Sequence, residues 1–306
     1  MEIRQLRTFQ TVAKFLSFNR AAQELHYAQS SISAQIQGLE EELGVQLFDR
    51  LGRRVLLTEA GMRLLQYAEK ILDLAEETPT GVAGARELRG SLTVKVPETL
   101  SVHRLPPVIA RFRSMYPKVR LRFVSCTHDG LQKDLRKGIT DLAFLLAESI
   151  RASDLEVEAL GIEPLVLVAH PGHPLAARKE IRARDLEGET IPLSTVDCSY
   201  RKGLELVLGE EKVRYEAALE YNSVEAVKRC VMSGVGVTVL PEISVAEEVS
   251  RGLLKVLPWA DEGLEAAALM IWYKERWVSP TLAAFMEVTR EVLREAYGWA
   301  PRSFDG

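Results

Sequence analysis

Cysteine is scarce in this chain. Cys126, Cys198 and Cys230 are its three, far apart and without a C-x-x-C pair. Neither a disulfide framework nor a zinc cage is expected from them. No apolar run approaches the ~20 residues that a membrane-spanning helix needs, so no membrane partner is expected. The opening MEIRQLRTF lacks the basic and then apolar layout of a secretory signal, which makes a cytoplasmic location the expectation. There is no excess of positive charge either. The net charge is −4, and residues 1–60 set seven basic side chains against seven acidic ones. A broadly basic surface is therefore excluded, and only Arg50, Arg53 and Arg54 cluster where counterion release could be local. Also missing are a nucleophile elbow, a P-loop and an H-E-x-x-H. Gly234-x-Gly236 has no third glycine and no preceding strand, so it is not a dinucleotide fingerprint. What remains is a chain of 306 residues, 47% hydrophobic and 27% charged, which fits a soluble globular protein of two or three domains.

The stretch from Phe18 to Leu47 is the most informative. Asn19 is placed to cap a first short helix, whose apolar stripe is Ala21, Ala22 and Leu25. His26-Tyr27-Ala28 interrupts the stripe. A second helix follows, with Ile32, Ile36, Leu39 and Leu43 at helical spacing and Gly44 at its C-terminal stop. Short helix, turn and longer helix make a helix-turn-helix, which seats its second helix in the DNA major groove. Gln29, Ser30, Ser31, Ser33, Gln35 and Gln37 crowd the start of that helix. Glutamine can bond adenine through two contacts, serine can meet either base, and a helix N-terminus favours phosphate. An ordinary solvated helix pair is the alternative on pattern alone.

The same residues carry a family resemblance. Phe9, Phe18, Ala21-Ala22, Leu25, Gln29-Ser30, Ile32-Ser33, Ile36, Leu39-Glu40, Leu43-Gly44, Leu47-Phe48, Arg50, Leu57-Thr58 and Ala60-Gly61 together resemble the N-terminal signature of LysR-type transcriptional regulators. One departure is Ala34, which stands where the family often has Arg or Lys. Before the pair, Met1 to Phe15 reads as a helix with Ile3, Leu6, Phe9 and Val12-Ala13 on one face. After it, Gly52 offers a turn between two short extended pieces, as in a winged-helix hairpin. Arg53 and Arg54 at its tip would reach phosphate or the minor groove. Residues 1–58 are thus expected to form the DNA-binding domain, with Gln29, Ser30, Ser31, Ser33, Gln35, Arg50, Arg53 and Arg54 as its contacts.

Thr58 is expected to cap a long helix from Glu59 to about Glu77, with Leu64, Ala68, Ile71 and Ala75 forming a heptad-like seam. The resemblance implies that this helix dimerises; packing against its own domain is the alternative. Thr78-Pro79-Thr80-Gly81 is expected to break the helix, and residues 59–90 to serve as linker helix and hinge.

From Ser91 onward strands and helices alternate. Leu92 to Val96, Val119 to Phe123, Asp141 to Leu145, Leu155 to Ala159, Leu165 to Ala169, Ile191 to Leu193, Val213 to Tyr221, Val235 to Leu240 and Leu269 to Tyr273 read as extended. Helices are expected after Pro106-Pro107, at Leu131 to Gly138, after Asn222-Ser223 and over 281–296. Such alternation argues for a parallel α/β sheet. His170 and His173 fall on a Pro/Gly turn rather than one helix face, so no metal site is expected there.

This part resembles the family's regulatory domain, which has two α/β subdomains like type II periplasmic binding proteins. The implied lobes are 92–162 with 268–306, and 163–267. Ligands of open α/β sheets sit beyond the carboxyl ends of strands. Hydroxyls at helix starts there suit a small anion. The candidate effector contacts are Thr99, Ser101, Thr127, His128, Cys198, Ser199 and Ser223; Thr99 and Ser223 could equally be helix caps. His128 replaces a commoner hydroxyl residue, and Glu98 adds a negative charge. The family's peroxide sensors carry a reactive cysteine near Cys198 and a second some nine residues on; here Glu205-Leu206-Val207-Leu208 fills that stretch, so pocket lining or an inert thiol is the expected role.

Two functions compete. The first is a DNA-binding regulator without cofactor, a homodimer or homotetramer on partly palindromic double-stranded DNA, answering to a small-molecule effector. RNA polymerase is a candidate further partner. The second is an enzyme with a helical appendage, for which no catalytic motif is present.

Overall fold

The computed structural model of the chain describes residues 1–51, 54–83, 88–126, 130–147, 152–195, 198–216, 219–261 and 264–298, with the backbone alone at 50, 51, 77, 79–83 and 198–200. It falls into two compact units, Met1–Ser91 and Leu92–Gly306. No helix among the described residues is long and apolar enough to cross a membrane.

The first unit opens with α1 (Ile3–Phe15), α2 (Phe18–Leu25) and α3 (Gln29–Leu43). A hairpin of β1 (Phe48–Leu51) and β2 (Arg54–Leu57) follows, then α4 (Glu59–Ala83). The helical spacing read in the sequence buries one stripe of each helix. Leu6, Phe9 and Val12 of α1, Ala21 of α2 and Ile32, Ile36 and Leu39 of α3 meet in one core. Burying each large apolar side chain there contributes roughly 1.5–3 kcal/mol. The Phe48 ring, at the start of the hairpin, sits 5.3 Å from that of Phe9 and 5.7 Å from that of Phe18.

Two local expectations are corrected. The cap of α2 is Ser17, whose Oγ accepts from the Arg20 N–H at 3.3 Å, and Asn19 lies inside the first turn. The helix starts earlier because Phe18 is drawn into the core at 8% exposure. Helix α4 is not broken at Thr78-Pro79 but runs to Ala83. A proline removes one donor from a helix, while the surrounding turns keep theirs. The Thr78 hydroxyl donates back to the Leu74 carbonyl at 2.7 Å in that turn. At the other end Thr58 caps α4 as expected, accepting from the Gly61 N–H at 2.9 Å. The α4 seam also turns inward. Ala68 and Leu72 are buried in the unit's own core, with Leu64, Leu65 and Ile71 packed against it. Among the described side chains of α4, Met62, Tyr67 and Leu74 are the large apolar ones left exposed.

The second unit contains β3 (Gly90–Val96), α5 (Glu98–His103), α6 (Leu105–Met115), β4 (Val119–Ser125), α7 (Leu131–Arg136), β5 (Leu142–Ala147) and β6 (Leu155–Ala169). These are followed by β7 (Leu193–Ser194), α8 (Cys198–Glu210), β8 (Glu220–Tyr221), α9 (Val224–Met232), β9 (Val237–Pro241), α10 (Glu242–Ser250), β10 (Lys255–Val256), β11 (Glu265–Tyr273) and α11 (Pro280–Tyr297). The main sheet has the order β10-β6-β11-β5-β3-β4, with β9 also on β6. The two segments read as separate strands, around Val157 and Leu167, are one continuous β6. Its first part pairs with β11 as far as Pro164, and Leu165 to Ala169 pair with β9.

The sheet is mixed rather than parallel. β3 and β5 run parallel, but β11 is antiparallel to both β5 and β6. β6 carries the chain out to β9 and β10, and β11 brings it back beside β5. Two strands with those opposite tasks, lying side by side, must be antiparallel. A second departure is at α5: the helix after β3 starts behind Pro97, so Thr99, a candidate cap, lies inside its first turn.

Candidate nucleic-acid interface and effector site

Helix α3 is set by its two ends. Before it, α2 stops at His26, which adopts the left-handed conformation at φ 56°, while the Tyr27 N–H donates to the Ala22 carbonyl at 2.9 Å. After it, Gly44 at φ 68° takes the left-handed stop that glycine adopts without strain. Between these ends the buried stripe faces α1 and α2. Gln29, Ser30, Ser31, Ala34 and Gln37 are exposed, and Ser33 is half-buried. The Gln29 amide donates to the Ser33 hydroxyl at 2.8 Å, one helical turn on. Their polar atoms therefore form one surface at the start of α3.

Gln35 stands apart from that surface. It is half-buried, and its side-chain oxygen accepts from the hydroxyl of Thr8, which is fully buried in α1, at 2.8 Å. In this structure Gln35 ties α3 to α1.

The hairpin is held to the same helix. Glu40, in the last turns of α3 and 8% exposed, accepts from the Leu47 N–H at 2.7 Å and the Phe48 N–H at 3.4 Å. β1 and β2 pair antiparallel, with Arg50 opposite Val55 and Leu51 opposite Arg54. The Arg54 side chain is exposed. Arg53 and the Arg50 side chain lie outside the described residues. Glu40 entered the sequence reading only within the family signature, although an acidic residue four positions after Ile36, on the apolar stripe, was a legible signal of a buried role.

In the second unit, two pairs of strand ends place the other candidates. The Cys126 N–H donates to the Val96 carbonyl at 3.1 Å, so the ends of β3 and β4 lie side by side. Thr127 and His128 follow and lie outside the described residues. β7 pairs with β8, and the Thr195 N–H donates to the Tyr221 carbonyl at 2.7 Å. Cys198 and Ser199 then open α8, their side chains also outside the described residues. Ser223 caps α9, accepting from the Ala226 N–H at 3.4 Å. Thr99 is buried at 1% exposure and Ser101 is half-buried, both on α5.

Ser223 is joined to α5 by a residue that is not among the candidates. The Glu98 carboxylate, at the start of α5, accepts from the Val224 N–H at 2.9 Å and from the Ser223 hydroxyl at 3.3 Å. It reaches from the end of β3 to the first turn of α9. Beyond α5, Arg104 forks onto Glu163, with Nε and Nη2 each 2.9 Å from a carboxylate oxygen. Glu163 is 1% exposed and also accepts from the Tyr297 hydroxyl at 3.0 Å. The Arg104 guanidinium lies 4.4 Å over the Tyr297 ring. Burial first, and then the Glu163 carboxylate, push the Tyr297 phenol well above its ordinary value. This cluster sits where β6 passes from β11 to β9.

The histidines of the 170–175 turn are occupied locally. His170 Nδ1 accepts from the Gly172 N–H at 3.0 Å, and His173 Nδ1 from the Leu175 N–H at 3.3 Å. Among the described residues no group of three His, Cys, Asp or Glu side chains could hold a metal.

Comparison with known proteins matches both units. Residues 3–62 fit the model of the bacterial regulatory helix-turn-helix protein, lysR family, and residues 85–294 fit the LysR substrate binding domain. The chain belongs to the LysR family of transcriptional regulators. It is 37% identical over 295 residues, covering 96% of this chain and 100% of the relative, to an uncharacterized HTH-type transcriptional regulator, YwqM, of Bacillus subtilis. It is 32% identical over 299 residues, with 97% of both chains covered, to the RuBisCO operon transcriptional regulator of Allochromatium vinosum. Among solved structures it resembles a full-length OxyR variant from Pseudomonas aeruginosa, with TM-score 0.69 and 25% identity over 96% of this chain and 95% of that one. These relatives are transcriptional regulators, not enzymes. As a LysR-family regulator, the chain joins a helix-turn-helix DNA-binding domain to a substrate-binding domain, and the enzyme alternative falls away.

Proposed function

We propose that this regulator binds partly palindromic double-stranded DNA as a homodimer or homotetramer, and that a small-molecule effector held in its second unit modulates that binding or the bend of the DNA. The observation that carries the reading is the coupling of Gln29, Ser30, Ser31 and Ser33 on α3 to a hairpin that Glu40 fastens to the same helix. Bases are read by the first set. Phosphates are held by Arg50, Arg53 and Arg54, so a modest net charge suffices where the positive groups are concentrated. Self-association is supported by Tyr67 and Leu74, seven residues apart on the outer face of α4 and both exposed. A two-fold pair would present two recognition helices to successive major-groove faces.

The effector would sit among Thr99, Ser101, Thr127, His128, Cys198, Ser199 and Ser223, beyond the strand ends, between a lobe of residues 92–162 with 268–306 and a lobe of 163–267. Its influence on DNA and the influence of DNA on it are one coupling free energy.

The test is a gel-shift titration of DNA fragments selected by the purified protein from a genomic pool, with wild type and the Arg53→Ala/Arg54→Ala double variant. Weaker binding to every fragment is expected, with a salt dependence shallower by about two phosphate contacts. Unchanged affinity and slope would overturn the hairpin assignment.

A further inference from the structure

Glu98 stands next to Thr99, a residue of the proposed effector site. Its carboxylate spans two groups of strands. It stands on α5, directly after β3, which pairs with β5. Its two acceptors are taken by α9, which precedes β9 and follows β8. One oxygen accepts from the Val224 N–H at 2.9 Å and the other from the Ser223 hydroxyl at 3.3 Å. The amides of a helix's first turn are free donors at the positive end of the helix dipole, and a carboxylate satisfies both needs. Glu98 is half-buried and Val224 is buried, so this bond is shielded in part from water.

The contact joins an element that follows β3 to an element that precedes β9, two strands that share no pairing. β6 and β11 carry the chain between the two strand groups, and the Arg104–Glu163–Tyr297 cluster pins that crossing. A crossing pinned by one cluster and bridged by a separate carboxylate bond is the layout of a hinge with a clasp.

We propose that Glu98 is an internal clasp: the chain's own carboxylate holds the first turn of α9 against the end of β3, and a ligand entering there must displace it. The site is therefore self-liganded before any effector arrives. A small carboxylate and the Glu98 side chain compete for the same two donors, so effector binding at this point and the closed clasp exclude one another. That consequence rests on the effector reading given above; the clasp itself does not.

Hydrogen exchange on the full chain, without DNA or effector, tests the clasp. The variants are Glu98→Ala, which removes both acceptors, and Glu98→Gln, which keeps shape and one carbonyl but no charge. Exchange of the Val224 to Val227 amides is expected to quicken about tenfold in Glu98→Ala and by less in Glu98→Gln, as befits a charged hydrogen bond. The amides of β5 and α11 should keep wild-type rates. Wild-type exchange at α9 in Glu98→Ala would overturn the proposal. So would equal acceleration throughout the unit in both variants, which would make Glu98 a general stabiliser. The footprint of Glu98→Ala on selected DNA separates the two readings. An altered footprint joins the clasp to DNA binding, whereas fast α9 exchange with an unaltered footprint keeps the clasp and counts against the effector reading.

Discussion

The carboxylate of Glu40 accepts the backbone N–H of Leu47 at 2.7 Å, and this bond is buried. It fastens the hairpin to the helix that carries Gln29 and Ser33. Replacing Glu40 with Ala leaves the Leu47 and Phe48 amides without that acceptor, which costs about 1–3 kcal/mol. Urea denaturation of the first unit's transition should show that loss. DNA affinity should fall by more than the change in folded fraction, because Arg54 is no longer held in place relative to α3. Equal affinity per folded molecule would separate the hairpin from recognition.

Leu47 is approached from a second side. A Cβ added to Gly61 would stand 2.1 Å from the Leu47 carbonyl oxygen, a backbone atom that cannot swing away. Gly61→Ala should destabilise the first unit by about 1–3 kcal/mol or more, read as a lower midpoint in urea. Gly38→Ala is the control, since its added Cβ would meet only the end of the Gln5 side chain at 3.4 Å. That substitution should be tolerated.

The Arg104–Glu163–Tyr297 cluster predicts a pH effect with a definite sign. The Tyr297 phenol is held protonated by burial and by Glu163, so its folded value lies above its unfolded one. Its contribution to stability is complete below the ordinary tyrosine range and is lost as pH rises through and above that range. Wild type should therefore lose stability on the alkaline side more steeply than Tyr297→Phe, measured by chemical denaturation at stepped pH. Arg104→Met, which leaves the buried Glu163 without its cation, should cost about 3–5 kcal/mol at neutral pH.

Tyr67 and Leu74 predict the association surface. Replacing both with Asp on the exposed face of α4 should leave the first unit folded, since neither is in its core. The variant should elute and scatter as a smaller species than wild type and bind DNA more weakly. An unchanged mass in light scattering would place the self-association surface elsewhere.

How far such features can be read from a sequence depends on how far apart their partners lie along the chain. The periodicity of Ile32, Ile36, Leu39 and Leu43 announced a buried stripe; the first three are buried, and Leu43 in the last turn is 40% exposed. Thr58 and Ser223 announced caps, and both cap. Their partners lie within a turn. Where a local rule competed with packing, packing prevailed. Asn19 is as good a cap as Ser17, but burying Phe18 outweighs the choice and moves the helix start. Pro79 is a helix breaker by rule, yet α4 runs through it.

Sequence alone determined the helix-turn-helix and the alternation of strands and helices, because these depend on side-chain spacing within a few residues; it also carried the family resemblance over Phe9 to Gly61. Tertiary structure decided which face of α4 is covered, that Gln35 serves Thr8, that the sheet is mixed, and that Glu98 meets Val224 across 126 positions. Glu163 fell between two segments read as separate strands, and its answer, Arg104, lies 59 positions away. Nothing in residue order specifies which distant charge will satisfy a buried one. That is settled only when the strands have paired and desolvation makes an unpartnered charge too costly to keep.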